Sequence, residues 1–283
     1  MSFMKTWFIT GVSSGFGRAI ASAALAAGDR VIGTLRNEEQ KKAFTAIAPG
    51  RSFGVILDVT DDAKIQPTVD LVEREVGPID VLVNNAGYGH EGTFEESTMD
   101  DLRHQFEVNV FGAVAVTKAV LPSMRKRRAG HIVNITSMGG LITMPGLSFY
   151  HGSKFALEGL SEALGKEVKD FGIRVTAVEP GSFRTDWAGR SMIRAPRGIG
   201  DYDALMNPIR ERRLAMSGNQ IGDPAKLGEA VVRLVNSPEP PAHLLLGSDA
   251  VALVDRKLAE LSAEYDAWKD VTLSTDFAED SRA

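Results

Sequence analysis

Short apolar runs recur along the chain, separated by segments whose apolar positions return every three or four residues. The runs are TWFIT (residues 6–10), RVIGT (30–34), GVILD (54–58), DVLVN (80–84), HIVNIT (131–136), IRVTAVE (173–179) and HLLLG (243–247). They are rich in β-branched residues and apolar throughout rather than alternating, which suits strands buried on both faces of a parallel sheet. The intervening segments at 18–27, 61–76, 101–128 and 155–171 read as helices. Repeated β-α units predict one α/β domain across residues 1–283, a doubly wound, Rossmann-like parallel sheet of about seven strands.

Two segments break the alternation. Residues 182–220 mix Trp187, Met192, Ile193, Tyr202 and Met206 with Arg, Gly and Pro, and so long a connection inside one domain is expected to be a functional lid or a mobile segment, here taken as a substrate lid. Residues 250–283 form a C-terminal helical extension that ends in the polar, fraying tail STDFAEDSRA.

Composition narrows the classes of function. A formal net charge of −5 gives no electrostatic footprint for nucleic acid or an anionic membrane. The basic run MRKRR (124–128) falls where a long helix would end before Gly130, where cations complement the helix dipole and stay solvated, and RERR (210–213), inside the 182–220 segment, is equally expected to face solvent. With no cysteine, disulfides, thiolate metal sites and Cys nucleophiles are excluded. The five histidines lack metal-ligand spacing, so no metal is implied. The first strand is expected within a few residues of Met1, with no signal segment and no span, which predicts a cytoplasmic protein.

Candidate chemistry begins directly after the first strand, where TGVSSGFG (10–17) leads into an Ala-rich helix. Gly11, Gly15 and Gly17 permit a tight turn and close backbone approach, and the free N–H groups at the following helix start suit a pyrophosphate, which makes the turn, with Ser13, Ser14 and Phe16, a candidate cofactor site. The same residues could instead make only a packing turn. They also spell G-x-S-x-G, with Asp223 and His243 in hydrolase order, but a nucleophile elbow on the first strand would lack both the preceding strands and an oxyanion loop. The second strand ends in Gly33-Thr-Leu-Arg36, with an arginine where NAD-binding folds carry an acid. A guanidinium there can grip a 2′-phosphate, which predicts NADP(H), with NAD(H) the alternative. Asp58 either accepts from an adenine amino group or caps the next helix.

Tyr-x-x-x-Lys occurs twice, as YHGSK (150–154) and YDAWK (265–269), and each spacing places a phenol and an ammonium on one helix face. Only the first lies inside the nucleotide-binding pattern. Taken with TGVSSGFG, NNAG (84–87), Asn109, Ser137 and the PG pair at 180–181, it resembles the ordered signature of the short-chain dehydrogenase/reductase family over about residues 5–250. The long 182–220 segment and the C-terminal stretch further resemble its 17β-hydroxysteroid-dehydrogenase-like subgroup.

That resemblance implies an NADP(H)-dependent oxidoreductase interconverting a carbonyl and a secondary alcohol. Tyr150 would transfer the proton, Lys154 would lower its pKa and hold the nicotinamide ribose, Ser137 would bind the substrate oxygen, and Asn109 would hold a relay water. Cofactor contacts would come from the glycine turn, Arg36, Asp58, Val59, Asn85, Ala86, Gly87, Tyr150, Lys154, Pro180, Gly181, Phe183 and Thr185. Tyr88, Met138, Gly139, Gly140, Trp187 and Met192 would give the substrate side an apolar wall, so the small-molecule substrate is expected to be apolar. A homodimer is expected through the helices at 101–128 and 152–171, a tetramer being the alternative. Bringing a tyrosine from ~10 to neutrality requires roughly 4 kcal/mol, and a cation at ~5 Å in an effective dielectric of ~20 supplies about 3 kcal/mol of it. A non-catalytic dinucleotide-binding regulator on the same fold is the competing class, which would need the glycine turn but not the Ser/Tyr/Lys set.

Overall fold

The structure, a computed structural model, describes residues 4–277. The first half of the chain alternates β1 (Thr6–Ile9), α1 (Gly15–Ala26), β2 (Arg30–Leu35), α2 (Glu38–Thr45), β3 (Ser52–Ile56), α3 (Asp62–Glu75) and β4 (Val81–Asn84). A short β5 (Gly89–Glu91) and α4 (Met99–Phe106) follow, then a π-helical turn at Glu107–Phe111 that runs into α5 (Gly112–Arg127). The second half continues with β6 (Gly130–Ile135), α6 (Ser148–Val168), β7 (Ile173–Pro180), β8 (Met192–Arg194), α7 (Asp203–Met216), α8 (Pro224–Val235), β9 (His243–Leu246), α9 (Ser248–Ala267) and α10 (Lys269–Leu273).

Seven strands form one parallel sheet in the order β3-β2-β1-β4-β6-β7-β9. Because strand side chains alternate faces, Trp7 and Ile9 join one core layer with Ile20, Leu25, Leu227 and Val231 beneath α1 and α8. Phe8 joins the other with Leu82, Val116, Met124 and Ile132 beneath α3, α5 and α6. Each such side chain contributes about 1.5–3 kcal/mol on burial, so two full layers lock the sheet between its helices. Reversal of the strand order between β1 and β4 opens a crevice at their carboxyl ends, where such sheets bind ligands.

Several boundaries differ from the sequence expectation. The helix expected over 101–128 is α4 and α5 joined by the π turn. The third strand ends at Ile56, so Asp58 lies beyond it in the following loop. Helices α2 and α7 and a second, two-stranded sheet made by β5 and β8 were not foreseen. Tyr265 and Lys269 fall on different helices, and Tyr265 and Trp268 are each 66% exposed. Residues 278–283 of the expected fraying tail lie outside the described residues. No helix among the described residues is long and apolar enough to cross a membrane.

Candidate active site

The glycine turn is built by backbone geometry. Gly11 (φ +73°) and Gly15 (φ +56°) occupy the left-handed region that favours glycine. A Cβ at Gly17 would stand 2.2 Å from the Gly11 carbonyl oxygen, so α1 can approach β1 this closely only without a side chain there. Thr10 ties the turn to the end of β4: its hydroxyl accepts from the N–H groups of Asn85 and Ala86, both at 2.9 Å. The Asn85 carboxamide donates to the carbonyls of Thr10 (2.8 Å) and Gly11 (2.9 Å). Asn84 points the other way, into the core, and donates to Thr117 and Asn134. Ser14 precedes α1 without capping it through its side chain, leaving the first-turn N–H groups directed at the crevice.

A cleft of about 590 Å³ runs from this turn to the start of α6. At one end it is lined by Ser13, Arg36, Gln40, Asp58, Val59 and Thr60. Burial works to raise the Asp58 pKa, but hydrogen bonds from the Thr60 N–H (3.0 Å) and hydroxyl (2.8 Å), with Arg36 and His104 nearby, bring it below its ordinary value. Asp58 is therefore a carboxylate with an oxygen to spare. A more open groove of about 830 Å³ follows the outer side of α1 toward Pro224, and neither Tyr150 nor Lys154 lines it.

Tyr150 and Lys154 line the other end of the cleft, together with Asn85, Ala86, Gly87 and Tyr88. The Lys154 ammonium donates to the Ile135 carbonyl at 2.9 Å and stands 5.9 Å from the centre of the Tyr150 ring. Ser137 ends the loop after β6, and its hydroxyl accepts from the Gly139 N–H (2.9 Å). Burial pushes Tyr150 up to about 12, while a hydrogen bond with Ser137 acts in the opposite direction. Burial likewise pushes Lys154 down to about 8, against the raising effect of Glu158. The chain's own groups thus favour a neutral phenol beside an ammonium, an arrangement able to donate a proton. Burial here outweighs the lowering that the Tyr-x-x-x-Lys spacing predicts for Tyr150.

Asn109 owes its position to the π turn, whose extra residue per turn rotates the carboxamide inward. It is 2% exposed. Its Oδ1 accepts from the Tyr88 N–H, and its Nδ2 donates to the Tyr88 carbonyl and the Ser153 hydroxyl, each at 3.1 Å. Ser153 in turn donates to the Tyr150 carbonyl at 2.7 Å. Asn109 therefore joins the loop after β4 to the helix that carries Tyr150.

Not every expected residue lines the cleft. Thr185 does, and its hydroxyl accepts from the Trp187 N–H. Pro180, Gly181 and Phe183 stand behind it: Gly181 donates to Leu246 and Phe183 packs edge-on against Phe16 at 5.3 Å. On the substrate side Tyr88, Trp187 and Ile193 face the cleft. Met192 is buried with Leu147 and Tyr150, while Gly139 and Gly140 pack against His151 and Glu158. The hydrolase alternative does not assemble: Asp223 caps α8 and His243 is bound to Glu179.

The charged residues of 182–220 were misjudged from sequence. Arg213 turns inward rather than to solvent as RERR suggested, and Arg210, still 35% exposed, leans the same way. They converge with Arg194 on Glu91 of β5, at 3.0, 3.7 and 3.3 Å, and Glu91 is 3% exposed. A second carboxylate, Glu96, pairs with Arg197 (3.1 Å) and accepts from the N–H groups of Gly198 (2.8 Å) and Ile199 (3.0 Å). Arg127 of the MRKRR run is also engaged, with Glu73 and the Ile79 carbonyl. Pattern reading also passed over Thr10, Thr34 and Ser153, although Thr10 belongs to the glycine motif itself.

Comparison with known proteins gives the family of the chain. Residues 5–193 match the family described as short chain dehydrogenase. The chain is 42% identical over 272 residues to oxidoreductase BOA17 of Botryotinia fuckeliana, covering 96% of this chain and 99% of that one. It is 38% identical over 240 residues to a 3-ketodihydrosphingosine reductase of Bacteroides thetaiotaomicron, covering 84% and 86%. The solved structure of a short-chain dehydrogenase from Streptomyces avermitilis superposes with a TM-score of 0.90 at 42% identity, covering 98% of this chain and all of the other.

Proposed function

We propose, since the chain belongs to the short-chain dehydrogenase family of oxidoreductases, that it interconverts a carbonyl and a secondary alcohol with NADP(H). The observation that carries this reading is the convergence of Tyr150 and Lys154, with Ser137 at the phenol, on the cleft that the glycine turn opens. Such a set has no purpose in a dinucleotide-binding regulator.

The residues present fit a nicotinamide dinucleotide. The first turn of α1 and the close glycine approach suit its pyrophosphate, Ser13 and Arg36 suit a 2′-phosphate, and Asp58 with Val59 suits the adenine. Asn85 to Gly87, Tyr150, Lys154 and Thr185 border the nicotinamide half, with Pro180, Gly181 and Phe183 supporting it from behind. Bound there, the nicotinamide supplies or accepts the hydride.

The chain's own part is to hold the substrate oxygen and move its proton. Ser137 and Tyr150 place two hydroxyls at one point, and Tyr150, held neutral by burial, gives its proton to the developing alkoxide. Lys154 stabilises the tyrosinate that remains. Both Nδ2 hydrogens of Asn109 are committed, so its part in a proton relay falls to the free lone pair of Oδ1. Residues 182–220 act as the lid. Tyr88, Trp187 and Ile193 favour an apolar carbonyl, in keeping with the keto substrate named for the Bacteroides relative. A cytoplasmic homodimer through α4 to α6 suits exposed Phe111, Phe155 and Leu160, with a tetramer the alternative.

Nicotinamide absorbance followed across a panel of carbonyls and alcohols, with NADPH and NADH, tests this reading. Turnover of apolar ketones with NADPH preferred is the expected result. Tight cofactor binding without turnover of any member would favour the regulator, and rapid turnover confined to sugars would reject the apolar substrate.

A further inference from the structure

The residue after Tyr150 is a buried histidine that the reaction above leaves unused. His151 lies in the first turn of α6, is 4% exposed, and sets its ring edge-on to that of Tyr150, 5.9 Å between centres. Its Nδ1 is 2.7 Å from the Gly139 carbonyl oxygen, and its Nε2 accepts from the Met144 N–H at 2.9 Å. A carbonyl can only accept and a backbone N–H can only donate. The two partners therefore fix one form of the ring, neutral with its proton on Nδ1. Burial, aided by Arg213, holds the pKa below the ordinary histidine value although the Gly139 bond works the other way, so the ring stays neutral near neutrality.

The ring clamps the loop between β6 and α6, which carries Ser137. The Gly139 N–H donates to the Ser137 hydroxyl oxygen (2.9 Å) and the Gly140 N–H to the Ser137 carbonyl (2.8 Å). His151 grips the Gly139 carbonyl, which lies between those two amides, and so holds the turn that sets the serine hydroxyl. That hydroxyl accepts from Gly139, keeps its own proton free to donate, and reaches Tyr150. A Cβ at Gly139 would crowd both rings, at 3.0 Å from His151 Nδ1 and 3.2 Å from Tyr150 Cε1. The other ring nitrogen works farther along the loop. Met144, held by Nε2, packs with Trp187 against the cluster of Leu147, Tyr150 and Met192. The next carbonyl, Pro145, accepts from Arg213 of α7 at 2.9 Å, so residues 182–220 rest on the same clamped loop.

We propose that His151 is a positioning residue with two separable tasks: through Nδ1–H it sets the Ser137 hydroxyl against Tyr150, and through Nε2 it sets Met144 on the substrate wall. The proposal deepens the reading of Ser137 and Tyr150 given above and rests on it. The first task governs how well the substrate oxygen is held as charge develops on it, so its loss lowers kcat. The second governs the fit of the apolar substrate before reaction, so its loss raises KM. Carboxamides divide the two, because that of Asn reaches where Nδ1 stands and that of Gln where Nε2 stands.

Two measurements test the clamp. Nitrogen NMR of histidine-labelled protein, with the resonances assigned through His151→Asn, should show His151 protonated at Nδ1 and unprotonated at Nε2. The opposite tautomer, or a cationic ring near neutrality, overturns the proposal. Steady-state kinetics with the best ketone of the panel then separate the tasks. His151→Asn should act chiefly on KM, raising it about tenfold, whereas His151→Gln should act chiefly on kcat, lowering it about tenfold or more with NADPH affinity unchanged. The same division between kcat and KM in both variants, or no change in either, overturns it. Should neither variant fold, the tautomer decides alone. Full turnover in Ser137→Ala would instead fell the reading of the reaction, an outcome told apart from failure of the clamp because the tautomer would stand.

Discussion

The two walls of the cleft are held by different forces. On the glycine side, the ends of β1, β2 and β4 meet through backbone groups and short side chains: Thr10, Thr34 and Asn85 satisfy amides and carbonyls at 2.8 to 2.9 Å, and glycines make the approach possible. On the facing wall, residues 182–220 are fastened to β5 and the loop after it by Glu91 and Glu96, each reaching arginines about a hundred residues away. A backbone cradle tolerates almost no added volume. An ionic fastening depends instead on side-chain charge, and can loosen without disturbing the sheet.

The contrast is broken most severely at Gly17. Gly17→Val should cost at least about 3 kcal/mol of stability, because its side chain meets backbone that cannot yield, and dinucleotide binding should be lost. Thermal melting and a cofactor titration check both. Glu91→Ala leaves three guanidiniums without their shared carboxylate and should cost about 3 kcal/mol. Hydrogen exchange should rise across residues 192–216, which carry the three arginines, while the glycine turn keeps its protection. Equal loosening of the glycine turn would contradict the separation of the two walls.

Legibility in the sequence follows the same division. The glycine turn and the positions of Arg36, Tyr150 and Lys154 on the cleft could be read because each depends on local geometry, a φ sign, a strand end or a four-residue spacing. The parallel sheet could be read because its buried runs are apolar on both faces. The inward turn of Asn109 could not, because a π turn leaves no composition signal. Nor could β5 and β8, whose three-residue strands pair across about a hundred residues. Arg210 and Arg213 looked solvent-facing because a charge run does not announce a buried carboxylate folded against it from elsewhere. His151 likewise read as one more helix residue until the loop after β6 folded back onto its ring.

Acid should separate the sheet from the fastened segment. His131 in β6 is pushed down to about 4 by burial, with Arg174 adding to the effect. A buried histidine held neutral favours the unfolded chain once pH falls below the ordinary value of 6.5. Stability should therefore decline as pH falls from there to about 4, by about 3 kcal/mol. Glu96 is held at about 2, chiefly by the Gly198 and Ile199 N–H groups. Its contribution is present above its ordinary 4.5 and is lost only as pH falls toward 2. Melting across the acid range, with hydrogen exchange at residues 196–199, should show the sheet weakening first, and His131→Asn should flatten the early decline.

The smallest expected effect lies at the far end of the cleft. Arg36→Ala should weaken NADPH about tenfold and leave NADH nearly unchanged. Equal losses for both would remove the specificity argument.

The most direct test of the central claim is Tyr150→Phe, assayed for NADPH binding by fluorescence and for turnover of the best ketone in the panel. The proposed chemistry predicts unchanged cofactor affinity with turnover down by about a thousandfold or more. Turnover within a few fold of wild type would contradict it.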